Sequence, residues 1–427
     1  MIGDAWRITG GRPLRGRVKP GGSKNGALPT LAATLLLDGE TVLHNVPRIA
    51  DAETMAGLLR AFGLTVEGEG ATVRIANGGL ETHRAPLELV GRMRASHYLL
   101  GPVVARLGRA EIPFPGGCDI GERPFDYILA GLEALGAESR VEGERIRVWA
   151  TRLAGTRISL NPLYRSAGAT FNVLMAAALA EGTTVIENAS FEPDVVRFCE
   201  LLGRAGAEVE GAGSTTLTVR GARELRGVEH TVNPDRLEAG TFFCAAGATR
   251  GEVVVEGIAR GDLAAVAGKL EEAGVALEES GEGMKASGPE RPRGVAIETD
   301  PYPGFPTDLQ PPMAAMLATA EGTSWIRENI FDQRLQYVEQ LVKMGAEIRL
   351  LGPRAAEIRG RPRLRGAEVE ASNIRDGAAL VVAALGAEGE SVVVGRRFVA
   401  RGYEDMDGKL RSLGAQISTG DEEQGEE

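Results

Sequence analysis

An excess of positive charge is missing from this chain: 48 Lys and Arg stand against 59 Asp and Glu, a formal net charge of -11. Non-specific nucleic-acid binding needs a basic face and is excluded on that balance. An anionic small substrate is not excluded, because a local Arg/Lys cluster reverses the field inside a cleft. Cysteine is nearly absent. The three present (Cys118, Cys199, Cys244) cannot all pair, and none stands at metal-ligand spacing from the four histidines. A reducing, cytoplasmic compartment fits that usage, and no metal is expected. No apolar run reaches the about 20 residues that span a bilayer. The start, MIGDAWRITGG, has no basic stretch leading into an apolar one, so neither membrane nor signal peptide is expected. Aromatics are scarce at 5%, whereas glycine is abundant at 58 residues, which favours tight turns and close backbone approaches. The acidic end STGDEEQGEE lacks apolar anchors, and residues 419–427 are expected to form a disordered tail.

With 43% apolar and 25% charged residues over 427 positions, the composition is that of a globular enzyme large enough for two cores. Internal repetition organises it. An apolar helix followed by a Gly-led strand recurs in LAATLLLDGETVLHNV, LMAAALAEGTTVIENA, FFCAAGATRGEVVVEG, MAAMLATAEGTSWIREN and LVVAALGAEGESVVVG, with a weaker copy in LLGPVVARLGRAEIPF. Second helices end in AFGLTV, ALGAES, RAGAEV, EAGVAL, KMGAEI and SLGAQI. Their glycines, Gly63, Gly136, Gly206, Gly274, Gly345 and Gly414, lie 68 to 73 residues apart. A glycine there suits a left-handed helix C-cap that turns at once into a strand. The first helices are almost continuously apolar and should be buried; the second, such as 51–62, carry a polar face and should lie outside. Six units of about 70 residues divide as three plus three. The expectation is an α/β protein of two similar domains, helices inside sheets, with the ligand site in the cleft between them. Domain I would hold 1–22 and 233–418, with Trp6–Val18 completing it, and domain II 23–232.

Four motifs carry candidate chemistry. In PGGSKNGALPTLAATLL a Gly-rich turn places Lys24 and Asn25 just before an apolar helix, an arrangement that binds anions or merely caps the helix beside a solvated lysine. The GxxxxGK[ST] spacing of a nucleotide-binding loop is absent. In PFPGGCDIGERPFD, Cys118 lies in a Gly/Pro-rich loop, where exposure is expected. Arg123 favours its thiolate while Asp119 and Glu122 oppose it, so the loop also reads as a free thiol without function. Cys199 and Cys244 sit in apolar helical contexts and should be buried. In YPGFPTDLQPP, Asp308 precedes an apolar helix, where a carboxylate caps the helix, faces a cleft, or does both. Finally Arg94, Arg123, Arg334 and Arg401 occupy matching repeat edges; facing one cleft, they would bind carboxylate and phosphate bidentately.

Taken together, SKNGALP, MRAS, LGPVVARLG, PGGCDIGERP, GAT, AEGTTVIENA, PDRLEAGTF, FPTDLQ and RGYEDMDGKLRSLGAQI resemble the UDP-N-acetylglucosamine 1-carboxyvinyltransferases, enolpyruvyl transferases of peptidoglycan precursor synthesis. The resemblance covers essentially the whole chain. It implies two inside-out α/β barrels and transfer of the enolpyruvyl group of phosphoenolpyruvate to a sugar-nucleotide hydroxyl. By the same resemblance, phosphoenolpyruvate would be held by Lys24, Asn25, Arg123 and Arg401. Cys118 would protonate the enolpyruvyl methylene and be the thiol that fosfomycin alkylates. Asp308 would accept the proton of the sugar 3-hydroxyl or position that hydroxyl for attack. UDP-N-acetylglucosamine would lie along Arg94, Arg123, Pro124, Phe125, Asp126, Tyr127, Tyr164, Arg165, Ser166, Ala167, Asp308 and Ile330. Neither a metal nor an organic cofactor is implied, nor an obligate protein partner.

The chain departs from that family pattern at several places. His-x-Asp-Arg-Gly-Tyr reads Phe398-Val399-Ala400-Arg401-Gly402-Tyr403, and Asp-Leu-Arg-Ala reads Asn373-Ile374-Arg375-Asp376. Ile128 replaces a frequent His, and Tyr164 and Arg165 fill a segment where Lys is common. A paralogue with another nucleotide acceptor, or a silent regulatory homologue, is the alternative these positions leave open.

Overall fold

The computed structural model describes residues 4–116, 125–161 and 164–419. They form two compact units, one running up to Gly21 and resuming at Pro234, the other spanning Gly22 to Asn233. Gly22 belongs to the second of these because it lies against the Asn45 carbonyl oxygen, where a Cβ would come within 1.7 Å, and Ser23 N donates to Asn233 O at 2.7 Å. Gly21 belongs to the first: its carbonyl accepts from Asp235 N at 2.8 Å.

In the Gly22–Asn233 unit, three sheets accompany the buried helices Lys24–Ala33 and Ala167–Ala177 and a third helix, Leu100–Leu107, which is buried from Leu100 to Val104. From Ala169 to Ala177 every side chain is buried. No polar face is available to meet water, so the helix must sit inside, and each large apolar side chain buried there contributes about 1.5–3 kcal/mol. Its two interior polar residues are satisfied. Thr170 Oγ1 donates to Ser166 O at 2.9 Å and accepts from Ser190 N at 2.9 Å. Asn172 Nδ2 donates to Gly168 O, and its Oδ1 accepts from Gly101 N at 2.9 Å. That last bond marks a close crossing of two helices. A Cβ at Gly101 would meet the Asn172 carbonyl oxygen at 2.4 Å. Gly101→Ala is therefore expected to cost about 1–3 kcal/mol, read as a lower urea midpoint at unchanged slope.

The outer helices are amphipathic by contrast. Pro193–Ala205 starts with Pro at its first turn and turns Val195, Phe198, Leu201 and Leu202 inward. The six glycines that end such helices, Gly63, Gly136, Gly206, Gly274, Gly345 and Gly414, all have positive φ, between 88° and 118°, the left-handed region where a side chain is strained.

The other unit also has three sheets and three buried helices, Arg236–Thr249, Gln310–Leu317 and Ile374–Gly386, which pack on one another pairwise. The N-terminal segment joins two of its sheets. Ala5–Thr9 lies antiparallel between Glu390–Val394 and Gln416–Thr419, with Ile8 opposite Ser391 and Ile417. Arg15–Val18 runs parallel to Glu252–Glu256. Thr419, assigned above to the tail, is instead the last residue of a strand, paired with Trp6; the remainder of the expected tail, 420–427, lies outside the described residues. No helix among the described residues is long and apolar enough to cross a membrane.

Candidate functional site

Lys24 opens the helix Lys24–Ala33. Ser23 caps it, its hydroxyl accepting from Gly26 N at 3.2 Å. The lysine is not a solvated side chain. Its Nζ lies 2.7 Å from Asp51 Oδ2, with the two side chains 13% and 3% exposed. Asp51 stands in the first turn of Ala50–Ala61, where the helix dipole favours a carboxylate. Half-buried Asn25 follows. A cation and the positive end of a buried helix thus share one place.

Cys118, Arg123 and Pro124 lie outside the described residues, but the flanks of their segment are described. Arg94 joins them: its Nη1 reaches Pro115 O at 3.5 Å, and its guanidinium stands 4.3 Å from the centroid of the Phe125 ring. Phe125 precedes the helix Asp126–Ala134 and packs at 5.8 Å, ring to ring, on Phe114. Tyr127, one residue into that helix, and Tyr164 bring their rings to 5.9 Å at a 30° tilt. Arg165 takes φ 33° and lays its guanidinium 5.5 Å from the Phe191 ring. Ser166 then caps Ala167–Ala177, accepting from Ala169 N at 3.2 Å. Ile128 is buried. The other two thiols, Cys199 and Cys244, are buried, which pushes each up to about 12 and leaves it unreactive.

In the other unit the centre is Asp308. It lies within the short 3-10 turn Thr307–Leu309 rather than at the cap position of Gln310–Leu317, which Leu309 occupies. Two buried arginines hold the carboxylate. Arg334 Nη2 donates to Oδ1, while Arg375 donates to Oδ2 through Nε at 3.1 Å and Nη2 at 3.0 Å. Arg334 also donates to Thr307 O at 3.3 Å, and Arg375 lies 5.1 Å from the Tyr403 ring. Glu328, fully buried, ties the neighbouring turn together: it accepts from Thr307 Oγ1 at 3.0 Å, from Ile330 N at 2.9 Å and from Phe331 N at 3.1 Å. Asp308 and Ile330 are thereby braced by one carboxylate. Arg401 is half-buried in the turn after Arg396–Val399. Beside it Phe398 stacks at 4.6 Å under Arg397, and Ala400 is exposed.

The structure thus brings Lys24 to Asp51; Arg94 to Phe125; Tyr127 to Tyr164, beside Arg165, Ser166 and Ala167; and Asp308 to Arg334. Asp51 and Glu328 escape a reading of the sequence, and Arg375 and Asp376 enter it only as parts of a changed motif. The available signal was the pair Arg375-Asp376 opening an otherwise apolar helix; Glu328, at the end of a strand, offers none.

Comparison with known proteins bears on what such residues serve. Residues 8–410 match the family model described as EPSP synthase (3-phosphoshikimate 1-carboxyvinyltransferase). The chain is 45% identical over 413 residues to UDP-N-acetylglucosamine 1-carboxyvinyltransferase 3 of Symbiobacterium thermophilum, covering 96% of this chain and 97% of that one. It is 44% identical over 410 residues to UDP-N-acetylglucosamine 1-carboxyvinyltransferase 1 of Carboxydothermus hydrogenoformans, again covering 96% and 97%. Among solved structures it is similar to the enolpyruvyl transferase NikO from Streptomyces tendae, with TM-score 0.87 and 26% identity over 97% of this chain and 98% of that one. An EPSP synthase from Acinetobacter baumannii, at 19% identity and TM-score 0.70 over 97% and 99%, shares the fold. The chain belongs to the enolpyruvyl transferases of the EPSP synthase family, and within them to the UDP-N-acetylglucosamine 1-carboxyvinyltransferases.

Proposed function

We propose that this chain transfers the enolpyruvyl group of phosphoenolpyruvate to the 3-hydroxyl of UDP-N-acetylglucosamine and releases phosphate, the first committed step of peptidoglycan precursor synthesis, in the cytoplasm. The observation that carries the reading is the Asp308 carboxylate, one quarter exposed and fixed by two buried arginines. It is held rigidly and still reachable, as a group that accepts a hydroxyl proton must be.

The chemistry then runs on side chains alone. The Cys118 thiol gives its proton to the methylene carbon of phosphoenolpyruvate, and the adjacent carbon becomes oxocarbenium-like. The sugar hydroxyl adds there as Asp308 takes its proton, forming a tetrahedral ketal. A methyl proton then returns to the Cys118 thiolate as phosphate departs, and the vinyl ether forms. Lys24, Asn25, Arg123 and Arg401 hold the carboxylate and phosphate, and fixed cations of this kind stabilise the charge that develops on the leaving group. Arg94, Arg123, Pro124, Phe125 and Asp126 flank the sugar nucleotide. The Tyr127–Tyr164 pair offers it aromatic faces, Arg165 a cation, and Ser166, Ala167 and Ile330 close packing. The three sheets and three largely buried helices of each unit support the finer fold reading, six repeats forming two inside-out α/β barrels, with the expected domain boundaries moved by one residue so that Gly22 and Asn233 fall in domain II.

Inorganic phosphate release from phosphoenolpyruvate tests the reading directly. Release should depend on UDP-N-acetylglucosamine and fall at least about tenfold in Cys118→Ser, where the proton donor is far weaker. Release without the sugar nucleotide, or none with it, would remove this activity.

A further inference from the structure

Glu328 is a fully buried carboxylate that opens no helix: it follows the last residue of the strand Thr323–Arg327. Its backbone is fastened separately, the N–H donating to Arg354 O at 2.7 Å. The side chain accepts three hydrogen bonds, and its two oxygens divide them. Oε1 takes Ile330 N at 2.9 Å and Phe331 N at 3.1 Å, which satisfies the turn that follows the strand. The turn accounts for Oε1 and leaves Oε2 over. Oε2 reaches 21 residues back along the chain and accepts from Thr307 Oγ1 at 3.0 Å.

Thr307 is the residue before Asp308, and it is held from two sides. Its carbonyl accepts from Arg334 Nε at 3.3 Å, while Nη2 of the same arginine donates to Asp308 Oδ1. The Arg334 guanidinium lies 5.9 Å from the centroid of the Phe331 ring, and the Phe331 N–H is bound to Glu328. The contacts thus close on themselves, from Glu328 through Thr307, Asp308, Arg334 and Phe331 back to Glu328. A further tie runs beside them, Asn329 N donating to the buried Thr299 Oγ1 at 2.9 Å. Ile330, between Asn329 and Phe331, rides on the turn so fixed.

We infer that Glu328 is a positioning residue for the acceptor: its two oxygens hold the Ile330 turn, which packs on the sugar nucleotide, at one set distance from Asp308, which takes the hydroxyl proton. The inference deepens the proposed transfer and rests on Asp308 being its base. The requirement is geometric. A base takes a proton only within hydrogen-bond reach, about 2.6–3.2 Å, and a displacement of about 1 Å costs up to about 10²-fold in rate. Asp308 and the nucleotide contact come from separate segments of the chain, and the Glu328 carboxylate is bonded to both segments.

Thr307→Val keeps the shape of the side chain and cuts only the tie to Oε2. In the phosphate-release assay its kcat should fall about tenfold. Its KM for UDP-N-acetylglucosamine should stay within about twofold, because the Ile330 turn keeps its own two bonds. Thr307→Ser returns the hydroxyl and should return kcat to within about twofold of the wild type. Glu328→Gln preserves both ties: the amide oxygen accepts from Ile330 N and Phe331 N, and the amide nitrogen donates to Thr307 Oγ1. Its kcat should stay within about threefold of the wild type, since it is position that the carboxylate supplies. A brace needed for stability alone would lower the melting temperature of Thr307→Val and leave its kcat at saturation unmoved; that result overturns the inference. So does a kcat in Glu328→Gln as low as in Thr307→Val. Wild-type protein that releases no phosphate overturns the functional reading, and the inference falls with it; release by the wild type together with either of the other results overturns the inference alone.

Discussion

Asp308→Ala is expected to lower kcat by about 10²–10⁴, the range for removing a positioned general base, while UDP-N-acetylglucosamine still binds. It should also destabilise the protein. Arg334 and Arg375, 2% and 5% exposed in their side chains, would keep their charges in the core with the shared carboxylate gone. Breaking such a buried pair costs about 3–5 kcal/mol, mostly as the penalty of the charge left behind. Asp308→Asn separates the two effects. The amide oxygen still accepts from one arginine, so more stability survives, but the amide takes no proton and kcat should fall as far as in alanine. Turnover at saturating substrate, nucleotide affinity by calorimetry and urea denaturation resolve the three quantities. If either variant lost nucleotide binding but kept kcat at saturation, Asp308 would be a ligand contact and not a base.

Asp308 also shows where reading along the chain reaches its end. Its local pattern, a Pro-bounded loop before an apolar helix, points to a helix cap, and a reach of four residues can say no more. The groups that define its chemistry lie 26 and 67 residues away. Likewise Glu238, pushed up to about 7 by burial, meets Lys409 at 2.5 Å across 171 residues. What was legible was local. The helix-ending glycines announce left-handed turns because only glycine adopts them without strain, and their positive φ values bear this out. The unbroken apolarity of 169–177 announces a buried helix because no polar face is left for water. Cys244 follows from the same argument, and Cys199 from its place on the inward face of the amphipathic helix Pro193–Ala205. The residues of the site were legible only through motifs shared with a family, and Asp51 and Glu328, which belong to no such motif, surface only once the chain is folded.

Lys24→Met should lower kcat/KM for phosphoenolpyruvate by about 10²–10³, the usual loss when one fixed group that stabilises developing charge is removed. The structure adds a second consequence. The ammonium is 2.7 Å from the Asp51 carboxylate, so methionine takes that cation away from a carboxylate lying under the protein surface. The start of Ala50–Ala61 offsets part of the penalty, because the helix dipole stabilises an anion there by up to about 2 kcal/mol in partly buried positions. The net stability loss should thus be about 1–3 kcal/mol, below the full cost of a broken buried pair. Asp51→Asn tells the two tasks of the lysine apart. It leaves the ammonium in place without that carboxylate, so phosphoenolpyruvate no longer competes with Asp51 for Lys24, and its KM should hold steady or fall while Lys24→Met raises it. Melting curves and phosphate-release kinetics on the two variants are sufficient. Equal stability losses with unchanged kcat/KM in both would make Lys24–Asp51 a structural ion pair at a helix start, and the anion would have to be bound by other residues.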